Sequence, residues 1–216
     1  MMSKAITLLL ALAGALSSAQ AQDAAAGQQN AAQCAGCHGI PGYQSSFPEI
    51  YRVPKVAGQN AAYIVAALTA YKKGERKHPT MVGIGKGLTD QQMADLGAYY
   101  ETQGASLVKP VADSALPVPP AAVAELLTKG ACASCHGANY NKPVVPAYPK
   151  LAGQHADYLF AALRAYGTEG NPQVGRANAV MSGQVKQFKR AELKAMADYL
   201  STLPGDLRVV NNPKFK

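Results

Sequence analysis

Between Arg190 and Leu203 the apolar residues Leu193, Met196, Ala197, Leu200 and Leu203 recur at helical spacing, with charged residues between them. That period predicts an amphipathic helix, and Pro204-Gly205 marks its end. A second helix is expected over 89–103, where Thr89 and Gln92 have the spacing of a capping box and Gly104 follows the last turn. Residues 60–71, rich in Ala, Leu, Ile and Tyr and free of proline, predict a third. No segment alternates apolar and polar residues over a useful strand length, so the expected fold class is all-α. One apolar run has a different meaning. Ile6 to Leu16 is almost unbroken, follows Lys4 and precedes Ser17-Ser18-Ala19-Gln20-Ala21. This is the layout of a secretory signal peptide, with cleavage expected after Ala21. The run is too short for a membrane span, which needs ~20 apolar residues. No later segment is apolar enough, so the exported chain is expected to have no transmembrane segment.

The pattern then repeats. "PKVAGQNAAYIVAALTAY" (54–71) matches "PKLAGQHADYLFAALRAY" (149–166) at twelve of eighteen positions, with a Cys-x-x-Cys-His element before each copy. "MVGIGKGLTDQQMADLGAYY" (81–100) and "MSGQVKQFKRAELKAMADYL" (181–200) follow. Each half thus has one order: short helix, CxxCH, PK-x-AGQ helix, Gly-rich loop with Met, final helix. A repeat of this kind implies a tandem duplication. Tyr71 to Met81 spans ten residues and Tyr166 to Met181 fifteen, a difference that a loop absorbs at small cost. Pro110, Pro117, Pro119 and Pro120 lie between the halves and stiffen the connection. The expected organisation is a signal peptide (1–21), a first domain (22–104), a linker (105–120) and a second domain (121–216). Each half is small, and the chain holds four Phe, eleven Tyr and no Trp. Such a domain needs something more than its own side chains to complete a core.

Four cysteines in an exported chain would ordinarily suggest disulfides. These sit only as two tight pairs, "CAGCH" (34–38) and "CASCH" (132–136), closing loops too short to hold a domain. A four-thiolate zinc site would need the pairs to meet, and a thioredoxin-like dithiol wants a βαβ context that is not visible. Neither accounts for the histidines. Covalent haem c accounts for every position. Cys34 with Cys37, and Cys132 with Cys135, would form thioethers with the two vinyl groups of a porphyrin, with His38 and His136 below the iron. Two haem c groups are expected, one per half.

The opposite face of each iron decides function. A methionine sulfur closes the site and raises the reduction potential, because a soft ligand favours ferrous iron. Met81 and Met181 align with one another, 43 and 45 residues after His38 and His136. They are the expected axial ligands. Met93 aligns with Leu193 and Met196 with Leu96, an exchange typical of core packing. His155 takes the slot of Asn60 and reads as a helix-start residue; His78 has no counterpart and reads as an exposed loop residue. Arg76 and Arg176 each precede the methionine by five residues. They are either solvated charges or partners of haem propionates, for which a guanidinium fork is suited. The carbonyls of Pro54 and Pro149 are candidates to accept the Nδ1 proton of the ligand histidines.

Charge adds one contrast. Residues 22–104 hold seven Lys/Arg and six Asp/Glu, against twelve and six in 121–216. With an export signal present, the basic balance points to an acidic protein partner or a membrane surface, for which the tail "RVVNNPKFK" is a candidate contact, and not to nucleic acid.

These motifs, with both PK-x-AGQ-x-A-x-Y helices and the proline linker, resemble the dihaem cytochrome c4 family over essentially the whole exported chain. The first helix departs in lacking the aromatic often found before CxxCH. The resemblance implies a monomeric periplasmic carrier in a Gram-negative bacterium, with two cytochrome c domains related by a pseudo-twofold and propionate edges facing. It implies donors such as a quinol-oxidising bc-type complex and acceptors such as a terminal oxidase or reductase. The expected chemistry is outer-sphere electron transfer without enzymatic turnover. The alternative is an electron-accepting subunit of a dehydrogenase such as flavocytochrome c sulfide dehydrogenase. A dihaem peroxidase, which needs an open haem, ranks third.

Overall fold

The computed structural model describes residues 21–103, 105 and 116–211. The expected signal segment up to residue 20, position 104 at the end of the first domain, positions 106–115 of the linker, and the tail end 212–216 lie outside the described residues. The first half contains α1 (Ala24–Asn30), α2 (Ala32–His38), α3 (Ala61–Lys72), α4 (Pro79–Gly87) and α5 (Asp90–Thr102). The second repeats the order with α6 (Ala121–Lys129), α7 (Cys132–His136), α8 (Ala156–Tyr166), α9 (Ala179–Val185) and α10 (Arg190–Thr202). Four strands of two residues each are also present: β1 (Gln44–Ser45), β2 (Tyr51–Arg52), β3 (Arg76–Lys77) and β4 (Gly175–Arg176). The architecture is therefore all-α with minor sheet. Such short strands carry no alternating pattern to read, because tertiary contacts form them. The methionines depart from expectation. Met81 and Met181 lie in the first turns of α4 and α9 and not in loops.

Each half closes its own core through its last helix. Met93 and Leu96 of α5 join Ile64 of α3 and Leu88 in one cluster, and Met196, Leu193 and Leu200 of α10 join Leu159 of α8 in the other. Met93 and Met196 are buried packing residues, as their exchange with leucine suggested. Helix α5 starts as its sequence says, with a full capping box between Thr89 and Gln92. Helix α1 starts on the Asp23 carboxylate, which accepts from the backbone of Ala25 and Ala26. The Asp23 amide in turn donates to the buried Asp95 carboxylate at 2.9 Å, fastening α1 to α5. The two helices touch at Gly27, where an added Cβ would lie 2.1 Å from the Asp95 carbonyl oxygen. The first helix thus packs against α5 through a glycine, without an aromatic of its own. Gly27→Val should destabilise the first half by about 3 kcal/mol or more through overpacking. Urea unfolding read by far-ultraviolet circular dichroism checks it.

The halves meet face to face across a pseudo-twofold. Gln154 accepts from the Lys55 amide and donates to the Lys55 carbonyl, both at 2.9 Å. Gln59 does the same to Lys150, at 2.9 and 3.1 Å. Lys55 Nζ donates to the Gly153 carbonyl and Lys150 Nζ to the Gly58 carbonyl, at 2.6 and 2.8 Å. Residue i meeting j while j′ meets i′ is the signature of an isologous contact, here between two copies on one chain. The repeated letters P-K-x-A-G-Q thus encode the interface. Arg52–Asp157 and Glu49–Arg164 ion pairs also cross it. The tail crosses back as well: the Arg208 amide donates to the Ala57 carbonyl at 2.9 Å, so this part of the basic tail is engaged by the first half.

His155 is the N-cap residue of α8, matching Asn60 of α3. Burial, then Lys55 and Arg52 nearby, lower its pKa to about 4. The unfolded chain would take up this proton near pH 6.5 and the folded chain only near pH 4, so stability falls as pH drops through that window. His155→Asn should flatten the fall, which urea midpoints at several pH values would show.

Candidate functional site

Both CxxCH elements form short helices, as one helical turn per motif requires. Cys34 and Cys37 lie on α2 and Cys132 and Cys135 on α7, all partly buried and all unpaired thiols. Ala131, in the left-handed region at φ 46°, turns the chain between α6 and α7. Cys34 packs against the first-half core and Cys132 against the second. Burial pushes both thiols up from their usual pKa, the reverse of what a redox-active dithiol needs. Among the described residues no three His, Cys, Asp or Glu side chains converge on one point, so the pairs do not form a four-thiolate cluster.

The histidines are held alike. His38 Nδ1 meets the Pro54 carbonyl at 2.8 Å and His136 Nδ1 meets the Pro149 carbonyl at 3.0 Å. A carbonyl can only accept, so each Nδ1 carries the proton and each Nε2 is left with a free lone pair. Burial lowers both pKa values despite the opposing hydrogen bonds, keeping the rings neutral. A fixed, neutral imidazole with one open nitrogen is what a metal ligand requires.

The methionine helices are each aimed by a capping side chain. His78 Nδ1 accepts from the Met81 amide at 3.4 Å, and Asn178 Oδ1 accepts from the Met181 amide at 2.9 Å. His78 therefore is half-buried and has a counterpart, contrary to its reading as an unmatched loop residue. Counting back three residues from each methionine exposes the pair, since His and Asn there can both accept at an N-cap position. His78 adds a smaller lowering to the pKa of His38, after burial and against the Pro54 hydrogen bond.

Arg76 is 7% exposed, so it is not a solvated surface charge. Its guanidinium lies over Tyr63 and Tyr71, at 5.5 and 5.4 Å from the ring centroids, and donates to the Tyr63 hydroxyl at 2.8 Å. Arg176 repeats this with Tyr158 and Tyr166, at 5.5 and 5.3 Å, and a 3.1 Å bond to the Tyr158 hydroxyl. These cation–π contacts hold the two charges. Among the described residues neither guanidinium has an ion-pair partner, and the cleft between them is lined by one carboxylate, Glu49, already paired with Arg164. Burial pushes the Tyr63 hydroxyl up to about 12, an effect only partly offset by Arg76. One buried and one half-buried cation without a paired carboxylate favour an anion at this boundary.

A sequence profile described as "Cytochrome c" matches residues 24–103 and again 120–204. Cytochrome c4 of Azotobacter vinelandii is 33% identical over 219 residues, covering 94% of this chain and 100% of that protein. The chain belongs to the cytochrome c4 family. The crystal structure of reduced recombinant cytochrome c4 from Pseudomonas stutzeri superposes with a TM-score of 0.62 at 29% identity, covering 85% of this chain and 100% of that one. A thiosulfate dehydrogenase electron acceptor from Stutzerimonas stutzeri is 30% identical over 179 residues, covering 79% of this chain and 78% of that protein. The thiosulfate dehydrogenase TsdBA from Marichromatium purpuratum matches with a TM-score of 0.61 at 26% identity, covering 84% of this chain and 40% of that one. Family membership makes the chain a dihaem c-type cytochrome involved in electron transfer, with covalent haem c and a count of two that fits the two domains. No helix among the described residues is long and apolar enough to cross a membrane.

Proposed function

We propose that the chain is a periplasmic electron carrier between a bc-type donor complex and a terminal oxidase or reductase, exported by residues 1–21 and built as domains 22–104 and 121–216. Cys34 and Cys37 would attach one haem c, with His38 and Met81 as its axial ligands. Cys132 and Cys135 would attach the other, with His136 and Met181. The observation that carries this reading is the twofold recurrence of a proline carbonyl holding the Nδ1 proton of the histidine after CxxC. When bound, haem c supplies a one-electron couple that makes and breaks no substrate bond. The protein's part is positional. Pro54 and Pro149 orient the imidazoles, His78 and Asn178 start the helices that present the sulfurs, and Arg76 and Arg176 supply charge for the propionates.

Mass spectrometry of the exported polypeptide, followed by optical redox titration, tests the reading. Two added tetrapyrrole masses, a low-spin spectrum and a sulfur-to-ferric charge-transfer band are expected. No added mass, or a five-coordinate spectrum, would refute it.

A second reading is an electron-accepting subunit of a dehydrogenase complex. It draws on the similarity to an acceptor of thiosulfate dehydrogenase, and so favours a thiosulfate-oxidising partner over the flavin-containing sulfide dehydrogenase. Stable co-purification with such an enzyme would select it over a free carrier.

A further inference from the structure

The methionine of each half follows a strand whose hydrogen-bonding partner belongs to the other half. β3 and β4 pair antiparallel with Arg76 opposite Arg176 and Lys77 opposite Gly175. The Ala177 amide extends the ladder to the Glu75 carbonyl at 2.7 Å, and Lys77 Nζ reaches the Asn171 carbonyl at 2.9 Å. Each strand is two residues long and has no other partner in its sheet. The cap His78 follows β3 directly and Asn178 follows β4 after Ala177, and Met81 and Met181 lie three residues beyond them.

Three physical facts make this more than a seam. A two-stranded pair has little stability of its own, so neither strand survives the loss of the other. Helices α4 and α9 have nine and seven residues, too short to form without tertiary support. Each strand is nevertheless pinned in its own half, because Arg76 is held by Tyr63 and Tyr71 of α3, and Arg176 by Tyr158 and Tyr166 of α8. Tyr63 and Tyr71 correspond in the repeat to Tyr158 and Tyr166. The arrangement thus gives each half an equivalent grip on the start of the other's sulfur-bearing segment.

We propose that the two methionine segments are one cooperative unit, in which Lys77 and Ala177 are cross-domain positioning residues for the axial sulfur of the opposite centre. The inference rests on the ligand set of the proposed function. A segment that opens in one half removes the ladder partner from the other and so raises the opened population there. Coupling then needs no long pathway, since both sites bias one shared two-state element.

The test uses the full reduced holoprotein at neutral pH and proton NMR of the two upfield methionine methyl resonances of the low-spin ferrous centres, followed through a urea titration. The Met81→Ala variant assigns them, since it lacks one. Ala177→Pro removes the amide that bonds Glu75 and lies in the second half; the resonance to read is Met81, in the first. Lys77→Leu removes the bond to Asn171 and lies in the first half; the resonance to read is Met181. In each, the opened population of the opposite methionine should rise roughly 3- to 10-fold, the worth of one hydrogen bond. Arg52→Gln weakens the cross-half ion pair with Asp157, away from the cleft that holds the strand pair, and should leave both midpoints in place. Unmoved resonances in the opposite half, or an equal shift in Arg52→Gln, would overturn the inference. Absence of both methyl resonances from the unaltered protein would refute sulfur ligation itself, and the inference with it.

Discussion

Alanine in place of Met81 is expected to lower the reduction potential of the first centre by on the order of 0.2 V and leave the second nearly unchanged. The thioether at this position is partly buried in the first turn of α4, where the His78 side chain accepts from its amide and fixes its direction. A soft sulfur stabilises the ferrous form, and alanine offers no donor in its place. The reduced variant should bind one carbon monoxide per chain, whereas the unaltered reduced protein should bind none at neutral pH. Spectroelectrochemistry and gas titration read the two effects separately. Carbon monoxide binding by the unaltered protein would contradict sulfur ligation at one centre or both.

Gln154→Ala should cost about 2–5 kcal/mol of stability and loosen the halves from one another. Gln154 is 4% exposed, and its amide group satisfies both backbone groups of Lys55 in the other half while its oxygen also accepts from His155. Alanine would leave the amide and carbonyl of Lys55 without partners inside the boundary, and an unsatisfied buried group costs more than the bond itself contributed. Lys55 follows Pro54, whose carbonyl holds His38, so the loss should also disturb the first centre. A single urea transition splitting into two, with the first-half spectrum shifting early, is the expected result. An unchanged single transition would show that Gln59 and the strand pair suffice.

The repeat was legible because twelve of eighteen positions agree, yet its meaning was not. Gly-Gln in "AGQ" looked like part of a helix entry, while the structure uses Gln59 and Gln154 as reciprocal clamps. Helix α5 was legible almost to the residue because Thr89 and Gln92 cap it locally. Helices α4 and α9 were not, since "PTMVGIGKG" has glycines and no strong period, and its helical state depends on the strand and cap before it. Arg76 could be read as surface charge because arginine is rarely buried, and only the tyrosines eight residues apart on α3 explain its burial. His78 was missed for a related reason: its partner in the repeat is an asparagine, alike in accepting a hydrogen bond though not in name.

By itself, the order of residues determined the duplication, the helical class and the pairs of cysteine, histidine and methionine proposed to hold the haems. Those features are local: a capping box, a CxxCH turn and an apolar stripe each act within a few residues of chain. Tertiary structure alone decided how the two halves face one another, which glutamines lock them, that Arg76 is buried, and that each methionine segment is strand partner to the other. Those contacts join residues about a hundred positions apart, and each offsets the cost of withdrawing a polar group from water only by meeting its distant partner, which no short stretch of sequence records.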